Sequence, residues 1–177
     1  MRSLSAALAT VLFVAVACSP GDAPGQAGAS PDDTWRTALL RDVVTGEEFR
    51  IDDLRGKVVA IETMAVWCAN CQVQQREAQA ALSELDSPDV IYISLDVDPH
   101  ESEGYLAAYA GSRGFTWRFA VASAEVSRSL VAAFGPQILS PPSTPVVLLD
   151  PDGTVVENRF GITGAADLTA LLEEHLP

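Results

Sequence analysis

The stretch Trp67-Cys68-Ala69-Asn70-Cys71 decides how the rest of the sequence is interpreted, because it separates two cysteines by two residues. An apolar run, residues 58–65, precedes it, and residues 72–85 have the composition and apolar spacing of a helix. A strand that enters a helix through such a turn places the first thiol at the helix N-terminus. There, unpaired backbone N–H groups and the positive end of the helix dipole stabilise a thiolate. The stretch therefore predicts a cysteine that attacks disulfides.

The pattern on either side of this stretch predicts strands alternating with helices. Residues 37–40 and 48–51 flank a Thr45-Gly46 turn and predict a small N-terminal hairpin. The later predicted strands are residues 90–97, 117–121, 145–149 and 154–160, and the later predicted helices are residues 102–109, 124–134 and 165–176. This order predicts an α/β fold, in which a central mixed β-sheet is flanked by helices and preceded by the hairpin.

The N-terminal residues predict export and a membrane anchor. Residues 1–17 carry one charge and then an apolar segment, which is shorter than the roughly 20 residues of a membrane span and typical of a secretory signal. Small residues before Cys18 resemble the lipobox of bacterial lipoproteins, and this implies that Cys18 is lipidated and becomes the mature N-terminus. The alternative is ordinary signal cleavage that leaves a free cysteine. Residues 18–34 predict a flexible tether, and residues 35–177 the folded domain.

Charge and cysteine content exclude several classes of function. The formal net charge of the 177-residue chain is −13, so electrostatics gives it no affinity for nucleic acid or for an anionic lipid surface. We interpret the acidity as a source of solubility. Three cysteines are too few for a disulfide scaffold.

Several motifs together resemble the thioredoxin superfamily. The cysteine pair at a strand–helix junction, Glu62 six residues before the first cysteine, and Thr144-Pro145 at the start of a later strand carry the resemblance. The hairpin, the anchor, and residues 56–59 and 149–153 are similar to the membrane-tethered TlpA/ResA-type proteins outside the cytoplasm. The resemblance implies a thioredoxin-like fold and an extracytoplasmic, lipid-anchored location, periplasmic or elsewhere in the cell envelope.

The two cysteines of the motif have distinct expected roles. Cys68 is expected to be exposed at the helix tip and to act as the nucleophile, whereas Cys71 is expected to be more buried and to resolve the mixed disulfide. Together they are expected to form the Cys68–Cys71 disulfide. The alternative is half of a four-cysteine zinc site, but the sequence has no second pair, and we predict no metal ligands.

Glu62 and Thr144-Pro145 are the expected supports of this pair. Glu62 interrupts an apolar strand, so we expect it to be buried and to relay a proton for the resolving thiol; the alternative is a carboxylate that reaches water or an arginine. The resemblance implies a cis peptide bond between Thr144 and Pro145, with the backbone there pairing with the substrate; the alternative is an ordinary trans proline. Pro141 and Pro142 are expected only to rigidify a loop.

The remaining predicted site residues surround the thiols. Trp67 is expected to shield Cys68 and to line a docking surface for substrate, or to pack in the core. Ala69 and Asn70 are expected to tune the redox potential, and no proline precedes the second cysteine as in several family members. An acidic stretch follows the strand predicted at residues 90–97, and we interpret it as a solvated loop in preference to a metal site: Asp96, Asp98, His100, Glu101 and Glu103.

These observations predict an extracytoplasmic thiol–disulfide oxidoreductase. It is expected to act without a cofactor, as a monomer, on cysteine-containing protein substrates, and to exchange electrons with a membrane partner protein. The TlpA/ResA-type resemblance implies a reductant, for example of the cysteines of apocytochrome c or of copper sites. A Sco-like copper chaperone is the alternative. That family, however, has three residues between its two cysteines, where this chain has two, and it has a histidine near the later strand, where this chain has no histidine. A peroxiredoxin-type peroxidase ranks last, because the sequence context that activates its thiol is missing.

Overall fold

The apolar run before the cysteine motif forms the central strand of the fold. A computed structural model describes residues 33–177, and all seven residues of this strand, Val58–Met64, are buried. The predicted signal, Cys18 and most of the tether lie outside the described residues. The strands are β1 (Leu40–Arg41), β2 (Glu48–Phe49), β3 (Val58–Met64), β4 (Val90–Asp96), β5 (Arg118–Val121), β6 (Val146–Leu149) and β7 (Val155–Arg159), and the α-helices are α1 (Thr34–Thr37), α2 (Ala69–Leu85), α3 (Glu103–Arg113), α4 (Ala124–Phe134) and α5 (Ala165–Glu173).

The sheet has five strands in the order β5-β4-β3-β6-β7. β4 lies parallel to β3 and to β5, because helices α2 and α3 carry the chain back between them. β6 lies antiparallel to β3 and to β7, and five residues, 150–154, connect β6 to β7. The predicted mixed sheet flanked by helices is confirmed. This topology brings the carboxyl ends of β3 and β4 to the same edge of the sheet, where the motif begins.

The predicted N-terminal hairpin is present but shorter than expected. Leu40 of β1 pairs with Phe49 of β2. The strand predicted to begin at residue 37 is wrong, because the chain forms the helical turn α1 there. The turn directs the Trp35 ring into the core, where it meets Phe134 edge-on with 5.1 Å between ring centroids. Burial of the Trp35 indole therefore favours this helical turn over the predicted strand.

The helices follow the predicted pattern and differ from it at their ends. α2 begins at Ala69, three residues earlier than predicted, because Cys68 occupies the N-cap. α3 continues past Gly111 and ends where Gly114 adopts a left-handed conformation, with φ of 69°. A glycine inside a helix costs only about 1 kcal/mol, so tertiary packing overrides it at Gly111. None of the helices among residues 33–177 is long and apolar enough to cross a membrane.

Candidate active site

Cys68 and Cys71 form a disulfide at the beginning of α2, with their Cα atoms 5.3 Å apart. The amide of Cys71 donates a hydrogen bond to Cys68 Sγ over 3.1 Å. The prediction that Cys68 is exposed is wrong, because only 1% of its surface is accessible and Cys71 is fully buried. The Cys68 sulfur is bonded to Cys71 and accepts the N–H at the start of α2, so it faces the protein. The residue that projects into solvent is Trp67, which is 58% exposed.

A short 3₁₀ turn, Pro141–Ser143, packs against the start of α2 beside the disulfide. Asn70 Nδ2 donates to the carbonyl oxygen of Pro142 over 2.8 Å. The carbonyl oxygen of Pro141 lies 3.2 Å from Cys71 Sγ, a position in which it would accept an S–H bond from the reduced thiol. The two prolines therefore contact the motif through their carbonyls, in addition to shaping a loop, and sequence reasoning missed this contact.

Thr144 and Pro145 continue this turn into β6, and both are buried. The predicted cis bond between them is wrong, since residues 33–177 contain no cis peptide bond. Thr144 makes the chain reversal instead by adopting a left-handed conformation with φ of 43° and ψ of 62°. Pro145 then accepts a hydrogen bond from the Thr63 amide over 3.2 Å, next to Glu62 in β3. Contact of these two residues with a substrate stays a prediction.

Glu62 is completely buried, as predicted, and it belongs to β3, the strand that leads into the motif. Burial raises the pKa of its carboxyl from 4.5 to about 8, while the nearby polar groups of Ser94, Gln75 and Tyr92 partly offset that rise. Ser94 Oγ lies 3.1 Å from Glu62 Oε2, and the Tyr92 hydroxyl lies 3.4 Å from it. Glu62 Oε1 has no hydrogen-bond partner within the described part of the chain. The alternative of a carboxylate at the surface is therefore wrong.

The polar groups around Glu62 could not be identified from the helix and strand patterns. Trp117 Nε1 donates to Ser94 Oγ over 3.0 Å, which fixes that hydroxyl beside the carboxyl. The Tyr109 hydroxyl donates to Gln75 Oε1 over 2.5 Å, so the Gln75 amide group is directed inward. The available signal was weak, and it consisted of a serine within the buried strand β4 and of adjacent glutamines, Gln74 and Gln75, on the inner face of α2.

The acidic stretch that follows β4 forms hydrogen bonds with the residues directly before Cys68. Asp98 Oδ2 accepts a hydrogen bond from Trp67 Nε1 over 2.6 Å, and this bond is the main cause that lowers the pKa of Asp98. Glu101 Oε2 accepts the Val66 amide over 2.8 Å. The interpretation as a solvated loop is wrong for Asp96, which is fully buried, although the side chain of His100 is 90% exposed. No group of three or more His, Cys, Asp or Glu side chains in residues 33–177 is arranged to hold a metal ion.

Comparison with known proteins identifies the fold. No protein-family model matches the chain, and none of the curated proteins matches it in sequence. A thioredoxin-family thiol:disulfide interchange protein from Chlorobium tepidum is similar in structure, with a TM-score of 0.65, 18% identity, and coverage of 78% of this chain and 92% of that one. BsSco, a member of the Sco family of cytochrome c oxidase assembly proteins, has a TM-score of 0.63 at 17% identity and covers 78% and 90%.

A third similar structure is the exposed lipoprotein thioredoxin Etrx1 of Streptococcus pneumoniae, with a TM-score of 0.59, 18% identity, and coverage of 77% of this chain and 97% of that one. The domain therefore has a thioredoxin-like fold, and its Cys68–Cys71 pair lies at the start of α2.

Proposed function

We propose that this chain is a thiol–disulfide oxidoreductase that acts on the cysteines of protein substrates. The observation that carries the proposal is the Cys68–Cys71 disulfide at the start of α2, with the buried carboxyl of Glu62 on the strand that leads into it. A helix N-terminus stabilises the thiolate that exchange requires, and a buried acid with a raised pKa exchanges protons near neutral pH. The exchange takes place between sulfur atoms and needs no cofactor.

The reaction proceeds in two displacements. In the reduced protein, the Cys68 thiolate attacks one sulfur of a substrate disulfide, forms a mixed disulfide and releases the other substrate sulfur as a thiolate. In the molecules in which the Glu62 carboxyl is ionised, Cys71 then gives its proton to that carboxylate and attacks the Cys68 sulfur. The second substrate sulfur leaves, and the Cys68–Cys71 bond forms. The substrate disulfide has gained two electrons and the pair has lost two, so a membrane partner protein must restore them when the chain works as a reductant.

The residues around the pair are assigned to substrate contact and tuning. Trp67 offers exposed apolar surface beside Cys68, which supports a role in docking. Thr144 and Pro145 follow the turn that touches the pair, and we assign both to substrate contact, with the backbone of Thr144, the residue before the proline, pairing with the substrate chain. Ala69 and Asn70 lie between the cysteines, and the Asn70 bond to Pro142 gives that side chain a direct influence on the geometry of the turn.

We further propose that the protein works outside the cytoplasm, as a monomer anchored to a membrane through a lipid on Cys18. The small residues before Cys18 support this proposal, as does the fold shared with an exposed lipoprotein thioredoxin. Metabolic labelling with an alkyne fatty acid tests it. The full chain should become labelled and membrane-bound, and the Cys18→Ala variant should not. Label on the Cys18→Ala variant would contradict the proposal.

Single-cysteine variants test the chemistry. With insulin as a disulfide substrate, the Cys71→Ser variant should accumulate a mixed disulfide, because its resolving thiol is missing. The Cys68→Ser variant should form none, and Cys18→Ala is the matched control for loss of a cysteine outside the pair. Equal trapping by the Cys68→Ser and Cys71→Ser variants would contradict the assignment of Cys68 as nucleophile.

A glutathione titration with and without added copper separates exchange from copper delivery. A reversible two-electron couple that copper leaves unchanged supports the proposed activity. Stoichiometric copper capture by the reduced form would favour a copper chaperone. The exposed ring of His100, in the acidic stretch, would then be the candidate histidine ligand. The sign of the potential relative to the glutathione pool reports whether the protein acts as reductant or oxidant.

A further inference from the structure

Two carboxyl groups face each other directly beside the cysteine motif. Asp96, the last residue of β4, is completely buried. Its Oδ1 accepts the amide of Asp98 over 2.9 Å, and its Oδ2 has no hydrogen-bond partner among the described residues. The side chain of Glu101 is close enough to Asp96 to form a hydrogen bond once one of the two carboxyls carries a proton. A buried carboxylate with an unpaired oxygen beside a second carboxylate is unfavourable, and one proton between them removes both penalties.

This carboxyl pair is attached to the backbone that leads into Cys68. Glu101 Oε2 accepts the amide of Val66 over 2.8 Å, two residues before the first cysteine. Asp96 pairs with Met64 across the sheet, and the Val97 amide donates to the Met64 carbonyl over 3.0 Å. The main chain from the end of β3 to Val66 is therefore fastened on one side by β4 and by Glu101. A change in the charge of the pair acts on this segment without any large rearrangement of the sheet.

We infer that Asp96 keeps a proton which it donates to the Glu101 carboxylate, and that both are positioning residues for Cys68: with Asp96 protonated, Glu101 holds the Val66 peptide, and loss of the proton releases it. The inference rests on the proposed exchange function, whose pH response it extends beyond Glu62. When Asp96 ionises, the partly buried Glu101 side chain turns away from the buried Asp96 carboxylate and the Val66 amide loses its acceptor. The backbone segment that leads into Cys68 then opens more readily.

The charge environment supports this titration near neutral pH. Burial is the largest cause that raises the pKa of Asp96 to about 8, and the Glu101 carboxyl adds to the rise, while the Asp98 amide opposes it. The Asp98 carboxylate also faces Asp96. On the neighbouring helix α3, the Tyr109 hydroxyl lies within electrostatic range of Glu101 and Glu62. The cations within range of Tyr109 are Arg76 and Arg113.

The Val66 amide provides a test in the oxidised full-length protein, without any substrate. In nitrogen-15 NMR spectra, its resonance should shift with a midpoint near pH 8, and its protection against hydrogen exchange should fall roughly tenfold or more above that pH, as expected for loss of a hydrogen bond to a charged group. In Asp96→Asn the amide N–H₂ donates to Glu101 at every pH, so both changes should disappear. Glu101→Gln should behave in the same way, and Glu103→Gln, an exposed acid two residues further on, should match the parent.

A second measurement connects the pair to reactivity. The rate of reduction by dithiothreitol, divided by the thiolate concentration, should rise several-fold above the midpoint in the parent and in Glu103→Gln but not in Asp96→Asn. An unchanged Val66 inflection in Asp96→Asn, or no inflection in the parent, would overturn the inference. The NMR experiment involves no thiol–disulfide exchange, so its result is independent of insulin trapping. Failure of the inference and failure of the proposed function can therefore be distinguished.

Discussion

Replacement of Glu62 by glutamine should change how the stability of the oxidised protein depends on pH. The carboxyl of Glu62 is fully buried, and burial raises its pKa from 4.5 to about 8. Between these two values the folded protein keeps the proton and the unfolded chain loses it. The free energy of unfolding must therefore fall as pH rises through this window, by about 1.4 kcal/mol per pH unit for one such group. Glutamine has nearly the same shape and no proton to lose.

The size of the effect follows from the shift. From pH 5 to pH 8, retention of the Glu62 proton costs the parent protein about 3 to 4 kcal/mol of unfolding free energy, a large fraction of the total for a domain of this size. The Glu62→Gln variant should be close to the parent in stability at pH 5 and several kcal/mol more stable at pH 8. A residual slope should persist in the variant, because burial also raises the pKa of Asp96.

Urea denaturation with the disulfide intact measures this difference at pH 5, 6.5 and 8. Glu84→Gln, which removes an exposed carboxyl from the same protein, is the matched control. The control should follow the parent at all three values. If Glu62→Gln loses stability with rising pH as steeply as the parent, the pKa of Glu62 is not raised in the folded state, and the proposed proton exchange between Glu62 and Cys71 near neutral pH loses its support.

Two further predictions concern stability away from the motif. Asp42 is buried and accepts hydrogen bonds from Thr45 Oγ1 over 2.7 Å and from the Phe119 amide over 3.1 Å. Asp42→Ala should therefore lower the free energy of unfolding by about 2 to 4 kcal/mol, and Asp42→Asn should lower it less. An unchanged melting temperature in Asp42→Ala would contradict this stabilising role of Asp42. Asp86 ends α2 in a left-handed conformation with φ of 40°, so Asp86→Gly should raise stability by roughly 0.5 to 1 kcal/mol in urea titrations, whereas Asp86→Ala should lower it.

The parts of the site predicted from sequence are those that depend on local patterns. The strand before Cys68 and the helix after Cys71 are short-range features, and a glutamate inside an apolar run must be buried if its neighbours are. The exposure of Cys68 could not be predicted in this way. It depends on the direction of one sulfur atom toward the Cys71 amide and on the packing of a turn about 70 residues later in the chain.

The errors around Thr144 and Asp96 have a similar origin. A proline after threonine is compatible with either peptide isomer, and the left-handed conformation of Thr144 shows which way this chain makes the reversal. Asp96 belongs to a run of acidic residues, which usually indicates a solvated loop. Here β4 extends to Asp96, and the pairing of β4 with β3 buries its carboxyl beside the motif. Strand register is a long-range property that the acidic composition does not report.

The exposed position of Trp67 makes its fluorescence an intrinsic reporter of the redox state of the Cys68–Cys71 pair. Of the three tryptophans in the chain, Trp35 and Trp117 are buried in the core, and Trp67 alone stands at the surface, adjacent in sequence to a disulfide sulfur. A disulfide close to an indole quenches its emission, and the two thiols quench less. Reduction of the pair should therefore brighten red-shifted fluorescence from solvent-exposed indole while the blue emission of the core stays constant, so electron transfer can be followed in the unlabelled native chain.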